Sequence, residues 1–328
     1  MNKLDFLQSI MKEDGSFKRM QKVSPLRYPG GKTRAIGLIT QYLPDNLPKK
    51  ILSPFAGGAS LEIAWAQNLD VDEVVACDVF WPLVNFWNHI LNDPKTLADR
   101  LRTYKLGKDN YMSYRQELKD AYEGKTKLDG LTYAAHFYHN MQLSYGPLFL
   151  GWPGKKYKEP DDSTHKDYEN ICNWVESFSC PKLKVEHIPF EKSLDIYDEH
   201  YVYADPPYLL GYDSDVFRPM YPNQKGENHK NFNHELFKDM MRERKTDWMV
   251  SYNDCGTIRN WFEGFEFQFP KWQYSLQQGE TRKNGVKGDK DSRKESKEIL
   301  VIKGDYTLPK PKLSEPTQDE KVFGNLFD

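Results

Sequence analysis

The chain has 328 residues, with 46 basic and 48 acidic side chains and a formal net charge of −2. That length suggests roughly two domain-sized units, or one α/β domain carrying an insertion, and is ample to bury a core. Twenty Tyr, 18 Phe and 8 Trp argue against a disordered chain, and the charge balance does not advertise a polyanion binder, although a local basic groove would suffice for one.

No apolar run approaches the ~18 residues of a membrane span, and the charged opening MNKLDFLQSIMKEDGSFKRM lacks the apolar stretch of a signal peptide. The expectation is a cytoplasmic protein with no membrane partner. Cys77, Cys172, Cys180 and Cys255 stand far apart without a CxxC pair, so neither a disulfide framework nor a zinc knuckle is expected.

Residues 1–23 read as an N-terminal extension or leading helix. The turn-rich Ser24–Thr33 runs into Arg34–Leu43, whose Ile36, Ile39 and Leu43 have helical spacing. Lys49–Pro54 is a strand candidate ending in Phe55-Ala56-Gly57-Gly58-Ala59-Ser60, and Leu61–Gln67 reads as a helix. A second strand, Glu73–Cys77, ends at Asp78. Strand, glycine loop, helix, strand and acid open a doubly wound α/β sheet.

After about Asn92 the pattern changes. Helical stretches at Tyr111–Tyr122 and Leu131–Gln142 precede a Gly/Pro/aromatic loop, Tyr145–Gly154. Strand patterns return at Leu183–Ile188, Tyr201–Ala204, Trp248–Tyr252, Phe265–Phe269 and Glu298–Lys303. An α/β domain interrupted by an inserted module is the simplest parse. Residues 282–298 carry seven Lys/Arg and four Asp/Glu and read as a loop, and the chain beyond Lys303 has little periodicity.

Three motifs carry chemistry. Gly57 and Gly58 let the backbone approach a ligand, and Asp78, about 20 residues on, is spaced to bond ribose hydroxyls. The full GxGxxG is missing, so a nicotinamide fingerprint is not supported; the plain alternative is a tight turn beside a solvated acid. Pro29-Gly30-Gly31-Lys32-Thr33 ends like a P-loop, but Leu26 stands where that motif needs its first glycine, and no strand precedes it. A turn presenting Lys32 to an anion remains, beside an ordinary helix start.

Asp205-Pro206-Pro207-Tyr208 follows the apolar strand Tyr201–Ala204. Two prolines remove two donors and stiffen the turn, leaving the Asp205 carboxylate and the Pro206 carbonyl as fixed acceptors at the carboxyl end of a strand. An exocyclic amine, with two N–H donors, matches them, and Tyr208 adds a flat stacking face. The weaker alternative is a rigid strand-ending turn.

The order PGGK (29–32), FAGGAS (55–60), Asp78 and DPPY (205–208) resembles the D12 class of DNA adenine-N6 methyltransferases, the Dam-like group, over about residues 24–303. The resemblance implies a Rossmann-like α/β sheet dependent on S-adenosylmethionine, with an inserted, mainly helical target-recognition module. It divides the chain into an extension (1–23), a first catalytic part binding the cofactor (24–100), the recognition module (101–184), a second catalytic part with DPPY (185–303) and a tail (304–328). Asn140–Gly154 resembles the family's Asn-rich stretch ending in PFG, except that it ends in WPG, and AGGAS stands where relatives often have GAGS or CGG.

By match, Tyr28, Lys32, Phe55, Gly57 and Asp78 contact S-adenosylmethionine. Asp205 lies between cofactor and base, and Asp205, Pro206 and Tyr208 are the catalytic set. No metal is implied. Double-stranded DNA is the implied partner, its adenine flipped out of the duplex to reach the site; a restriction endonuclease partner is compatible with this and not required for activity.

Cytosine N4, RNA adenine and protein glutamine offer the same kind of amine, although the acid in place of Asn argues against glutamine. A non-catalytic DNA-binding protein with a degenerate methylase fold is the alternative from another class, and the intact DPPY and Asp78 argue against it. His136 and His139, i,i+3 in an aromatic helix, read as packing residues. His234-Glu235 lacks the second His of HExxH. Tyr252 either lines the base pocket or caps its strand.

Overall fold

A computed structural model describes residues 1–209, 232–271 and 298–310. Among the described residues, seven strands form one sheet: β1 (Lys50–Ser53), β2 (Glu73–Cys77), β3 (Leu183–Glu186), β4 (Tyr201–Ala204), β5 (Trp248–Asn253), β6 (Glu266–Gln268) and β7 (Glu298–Lys303). Their order is β3-β2-β1-β4-β5-β7-β6. The pairs from β3 to β5 are parallel, whereas β7 runs antiparallel to both β5 and β6. All seven strands stand where the apolar runs predict them.

These strands read as continuous apolar runs because both sheet faces are covered. Period-two alternation sends Ile51, Val74, Ala76, Tyr201, Tyr203, Met249, Leu300 and Ile302 into one core. Leu52, Val75, Cys77, Val202, Ala204, Val250, Ile299 and Val301 point into the other.

The first core is covered by α1 (Lys3–Ile10), α2 (Ile36–Thr40), α3 (Ser60–Asn68), α4 (Trp81–Asn92), α5 (Pro94–Arg102), α6 (Lys108–Tyr122), α7 (Gly130–Leu143), α8 (Lys155–Lys158) and α9 (Asp162–Glu176). The second lies under α10 (Phe190–Ile196), α11 (His234–Glu243) and α12 (Gly256–Trp261). Among the described residues no helix is long and apolar enough to cross a membrane.

Residues 101–184 are mainly helical, as expected, with α6 to α9 between β2 and β3. Asp129 and Asp161 cap α7 and α9, accepting from the Thr132 and Thr164 amides at 2.9 and 2.8 Å. Every residue of α7 from Thr132 to Leu143 is buried. Tyr111, Leu118, Phe137, Tyr168 and Val175 belong to the same core as the sheet residues above.

The N-terminal segment is tied into the fold. Phe6 and Leu7 are core residues, and the buried Lys3 ammonium donates to the Leu43 carbonyl at 2.8 Å and the Thr307 carbonyl at 3.1 Å. Asp45 pairs with Lys3 and accepts from the Thr307 hydroxyl at 2.6 Å, so the first helix and residues 304–310 meet at one place. Of the charged stretch expected as a loop, 282–297 lie outside the described residues, as does 311–328 of the tail.

Candidate active site

β1 lies between β2 and β4, parallel to both, so the carboxyl ends of all three open on one edge of the sheet. Chain direction through the strand order reverses here, which is where open α/β sheets bind ligands.

After β1 the backbone turns through Gly57 at φ +44° and Ala59 at φ +48° into α3. The left-handed region is cheap for glycine and costs about 1 kcal/mol or more for alanine. Tyr28 rests on this loop. A Cβ on Gly58 would sit 2.9 Å from the Tyr28 Cβ, and one on Gly57 would sit 3.3 Å from its Cε1. The glycines thus admit a neighbouring side chain as well as a close ligand.

Asp78, at the end of β2, accepts from the Gly57 amide at 3.2 Å and from the Phe80 amide at 2.9 Å. Burial raises its pKa above the usual carboxylate value, against the pull of these two N–H groups. Each carboxylate oxygen keeps a lone pair for a further donor. Trp87 secures the loop from behind, its indole N–H donating to the Gly57 carbonyl at 3.1 Å. A half-buried carboxylate held by fixed dipoles beside a Cβ-free turn fits the ribose end of S-adenosylmethionine.

The DPPY turn leaves β4 one strand away. Its Asp205 side chain is 24 % exposed, and the Lys32 ammonium donates to both carboxylate oxygens, at 2.8 and 2.7 Å. Lys32 is buried and comes from the turn before α2, where Gly30 has φ +75°. It also reaches the Tyr208 hydroxyl at 3.1 Å and pairs with Glu298 at 3.3 Å. The anion that the Gly-Gly turn presents Lys32 to is therefore part of the protein itself.

Glu298, the first residue of β7, accepts from the Tyr208 hydroxyl and from the Ser251 hydroxyl, the latter at 2.7 Å. Behind the glycine loop, Glu62 of α3 accepts from Ser53 at 2.7 Å. Burial pushes the Asp205 carboxyl up to about 6; Lys32 pulls it down and Glu298 adds to the rise. Burial likewise pushes Glu62 up to about 7, opposed by the Ser53 hydroxyl. For Asp205 and Glu62 the cause is burial in the neighbourhood of other carboxyl groups, with Lys32 as the opposing charge.

Of the residues singled out from sequence, the fold brings Tyr28, Gly57 and Asp78 into one cluster and Lys32, Asp205 and Tyr208 into an adjacent one. Phe55 turns the other way: its ring packs among Phe190, Phe232 and Phe237, with centroids 5.5–5.9 Å apart. Glu62, Ser251 and Glu298 went unnoticed in the sequence. A lone acid in the apolar helix SLEIAWAQN and another opening the apolar strand EILVIK were the available signs.

Other expectations resolve by packing. Tyr252 is fully buried on the second core, hydrogen-bonded to His234 at 2.9 Å, and Ser251 is the β5 residue that faces Glu298. Neither expected role for Tyr252 describes it. His136 and His139 are buried and hydrogen-bonded to Tyr104 (2.5 Å) and Tyr168 (3.0 Å).

The three aromatics of loop 145–154 part company. Phe149 is buried against Phe80 and Tyr122, at 5.2 and 5.0 Å, and its ring fills the core. Tyr145 and Trp152 are 85 % and 63 % exposed and share a backbone hydrogen bond of 2.8 Å. Asn140 anchors this loop by accepting from the Leu150 amide at 2.7 Å, and Arg27 ties its base to the PGGK segment by donating to the Gln142 carbonyl at 2.5 Å.

A family profile described as D12 class N6 adenine-specific DNA methyltransferase matches residues 28–276, more than half of the chain. No curated protein matches. The matched span contains PGGK, the glycine loop, Asp78 and DPPY, and the seven-stranded, mostly parallel sheet is consistent with a methyltransferase fold. Such a family implies methylation of adenine in DNA with S-adenosylmethionine. The chain belongs to the D12 class of N6 adenine-specific DNA methyltransferases.

Proposed function

We propose that this chain methylates the N6 amine of adenine within a specific word of duplex DNA, on a base flipped out of the helix, with S-adenosylmethionine as donor. The observation that carries this reading is the adjacency of two differently held carboxylates, Asp78 and Asp205, on either side of β1.

Tyr28, Gly57 and Asp78 would hold the cofactor, Asp78 through the ribose hydroxyls. Bound there, S-adenosylmethionine supplies an electrophilic methyl on a sulfonium that leaves as a neutral thioether. Lys32, expected at the cofactor, also holds Asp205, and Phe55 backs the loop from the second core.

Adenine N6 is a weak nucleophile because its lone pair is delocalised into the ring. Asp205 accepts one N6 proton and the Pro206 carbonyl the other, which returns electron density to the nitrogen and orients it. Asp205 then keeps the proton that N6 loses. Its Lys32 contacts leave lone pairs for this purpose, since each carboxylate oxygen has two. The two prolines keep the acceptors from swinging away, and the Tyr208 ring stacks on the extruded base.

Residues 101–184 are assigned to target recognition, with Tyr145 and Trp152 as the exposed rings nearest to that role. A restriction endonuclease is not needed for the transfer.

The test is transfer of labelled methyl from S-adenosylmethionine to unmethylated duplex DNA, followed by digestion to nucleosides. N6-methyladenine is expected. N4-methylcytosine, label in RNA only, or no label with retained DNA binding would each replace this reading by one of the alternatives.

A further inference from the structure

Beyond Asp78 and Asp205, a third strand-borne carboxylate, Glu298, lies at the site. It is 3 % exposed, sits at the amino end of antiparallel β7 opposite Asn253, and gathers three donors. The Ser251 hydroxyl reaches it from β5 at 2.7 Å, the Tyr208 hydroxyl from the DPPY turn, and the Lys32 ammonium from the PGGK turn at 3.3 Å. Asn253, its cross-strand neighbour, donates to the Leu209 carbonyl at 2.9 Å and fixes the far side of the same turn.

Resting on the function proposed above, we propose that Glu298 is a positioning residue for methyl transfer. It shares Lys32 with Asp205 and holds the Tyr208 hydroxyl, so one buried carboxylate orients both the proton acceptor and the stacking ring.

A buried carboxylate is costly and is tolerated only with partners of this quality. An apolar residue would fill the same space between Ser251 and Tyr208 without that cost. What it would lose is control of Lys32. With Glu298 present, the ammonium is divided between two carboxylates, and Asp205 keeps more of its basicity. With Glu298 neutralised, Lys32 belongs to Asp205 alone and weakens it as a proton acceptor.

Glu62 of α3 and Tyr203 of β4 also bear on Asp205, and a Glu298 substitution leaves both of those side chains unaltered. Tyr203 is held far above the usual tyrosine value by burial and stays neutral.

The experiment compares wild type, Glu298→Gln and Glu298→Asp in single-turnover methyl transfer to unmethylated duplex DNA across pH 5–9. Glu298→Gln is expected to lower the rate at least about tenfold and to move the acid limb to lower pH by roughly half a unit or more, with S-adenosylhomocysteine affinity little changed. Glu298→Asp keeps the charge and should leave the acid limb at its wild-type position.

A purely structural role predicts a lower melting temperature and a smaller active fraction with the limb unmoved, and that result overturns the proposal. Should Glu298→Gln fail to fold, Ser251→Ala removes one donor and no charge. A threefold to tenfold loss of rate is expected, and a wild-type rate overturns the proposal. If the wild type itself forms no N6-methyladenine, the proposed function fails separately. The positioning claim is then read from the Asp205 titration by carboxyl-carbon NMR, where an unchanged midpoint in Glu298→Gln, or in the equally neutral Glu298→Leu if Glu298→Gln does not fold, defeats it.

Discussion

Asp78 and Asp205 each follow a buried parallel strand, on opposite sides of β1, and are held in opposite ways. Two backbone amides hold Asp78, both from its own neighbourhood of the sheet edge. A single ammonium from Lys32 holds Asp205, and a second carboxylate competes for it. Fixed amide dipoles carry no proton that can move, which would suit the hydroxyl-binding role proposed for Asp78. Burial brings Asp205 to about 6 because the opposing ammonium is shared with Glu298, which would suit the proton acceptor proposed above.

Removing the proton acceptor gives the sharpest test of that contrast. Asp205→Ala should lower turnover by about a hundredfold or more, with S-adenosylhomocysteine binding retained because Asp78 and the glycine loop are intact. The same carboxylate should set the acid limb of the wild-type rate. Asp205 must be ionised to accept a proton, so activity should fall as pH drops through about 6. Near-normal turnover in the alanine variant would end the contrast.

The converse substitution comes next in size. Asp78→Ala should weaken S-adenosylhomocysteine binding by about 1.5–3 kcal/mol, the value of hydrogen bonds to a charged acceptor, with turnover at saturating cofactor much less affected. Calorimetric titration reads the affinity. An unchanged value would reduce Asp78 to a brace for the Gly57 turn.

Glu62 tests whether surplus buried charge has a thermodynamic cost. Its folded-state pKa, about 7, lies above that of the unfolded chain, so the native state favours the protonated form. That contribution is present below the ordinary carboxylate value and is lost as pH rises through about 7. Glu62→Gln should therefore remove part of the loss of stability between pH 5 and pH 8, and be the more stable protein at pH 8 by about 1–3 kcal/mol. Urea unfolding at the two pH values decides it, and identical slopes for both proteins would show that Glu62 titrates normally.

The smallest effect belongs to a side chain that touches neither aspartate. Trp152→Ala gives up a stacking contact with Arg115 at 5.1 Å, so its melting free energy should change by less than about 1 kcal/mol. A loss of duplex-DNA affinity at constant cofactor affinity would assign the ring to DNA. A loss of stability alone would assign it to packing.

Asp78 shows what could be read directly from the chain. Its strand, its distance from the glycines and the helix that follows are local facts, and the period-two and helical patterns around them predicted every strand of the sheet. DPPY was legible for the same reason, since two prolines after an apolar strand fix a turn whatever surrounds it. The face that the Phe55 ring takes was not legible, because adjacency to the glycine loop does not decide it; the aromatic cluster at Phe190, Phe232 and Phe237 does. Tyr252 and Ser251 were exchanged by the same one-residue alternation.

The sequence by itself determined the sheet, the two strand-ending acids and the turns that stiffen them, because each depends on neighbours within a few residues or on a repeated period. Only the tertiary structure decided that Lys32 meets Asp205 and that Glu298, held by Ser251, meets Lys32. They come from a turn near the amino end and from two antiparallel strands far along the chain. No local pattern encodes which buried charges will face each other; strand order does, and the low polarizability of the interior then makes that meeting govern the protonation of the site.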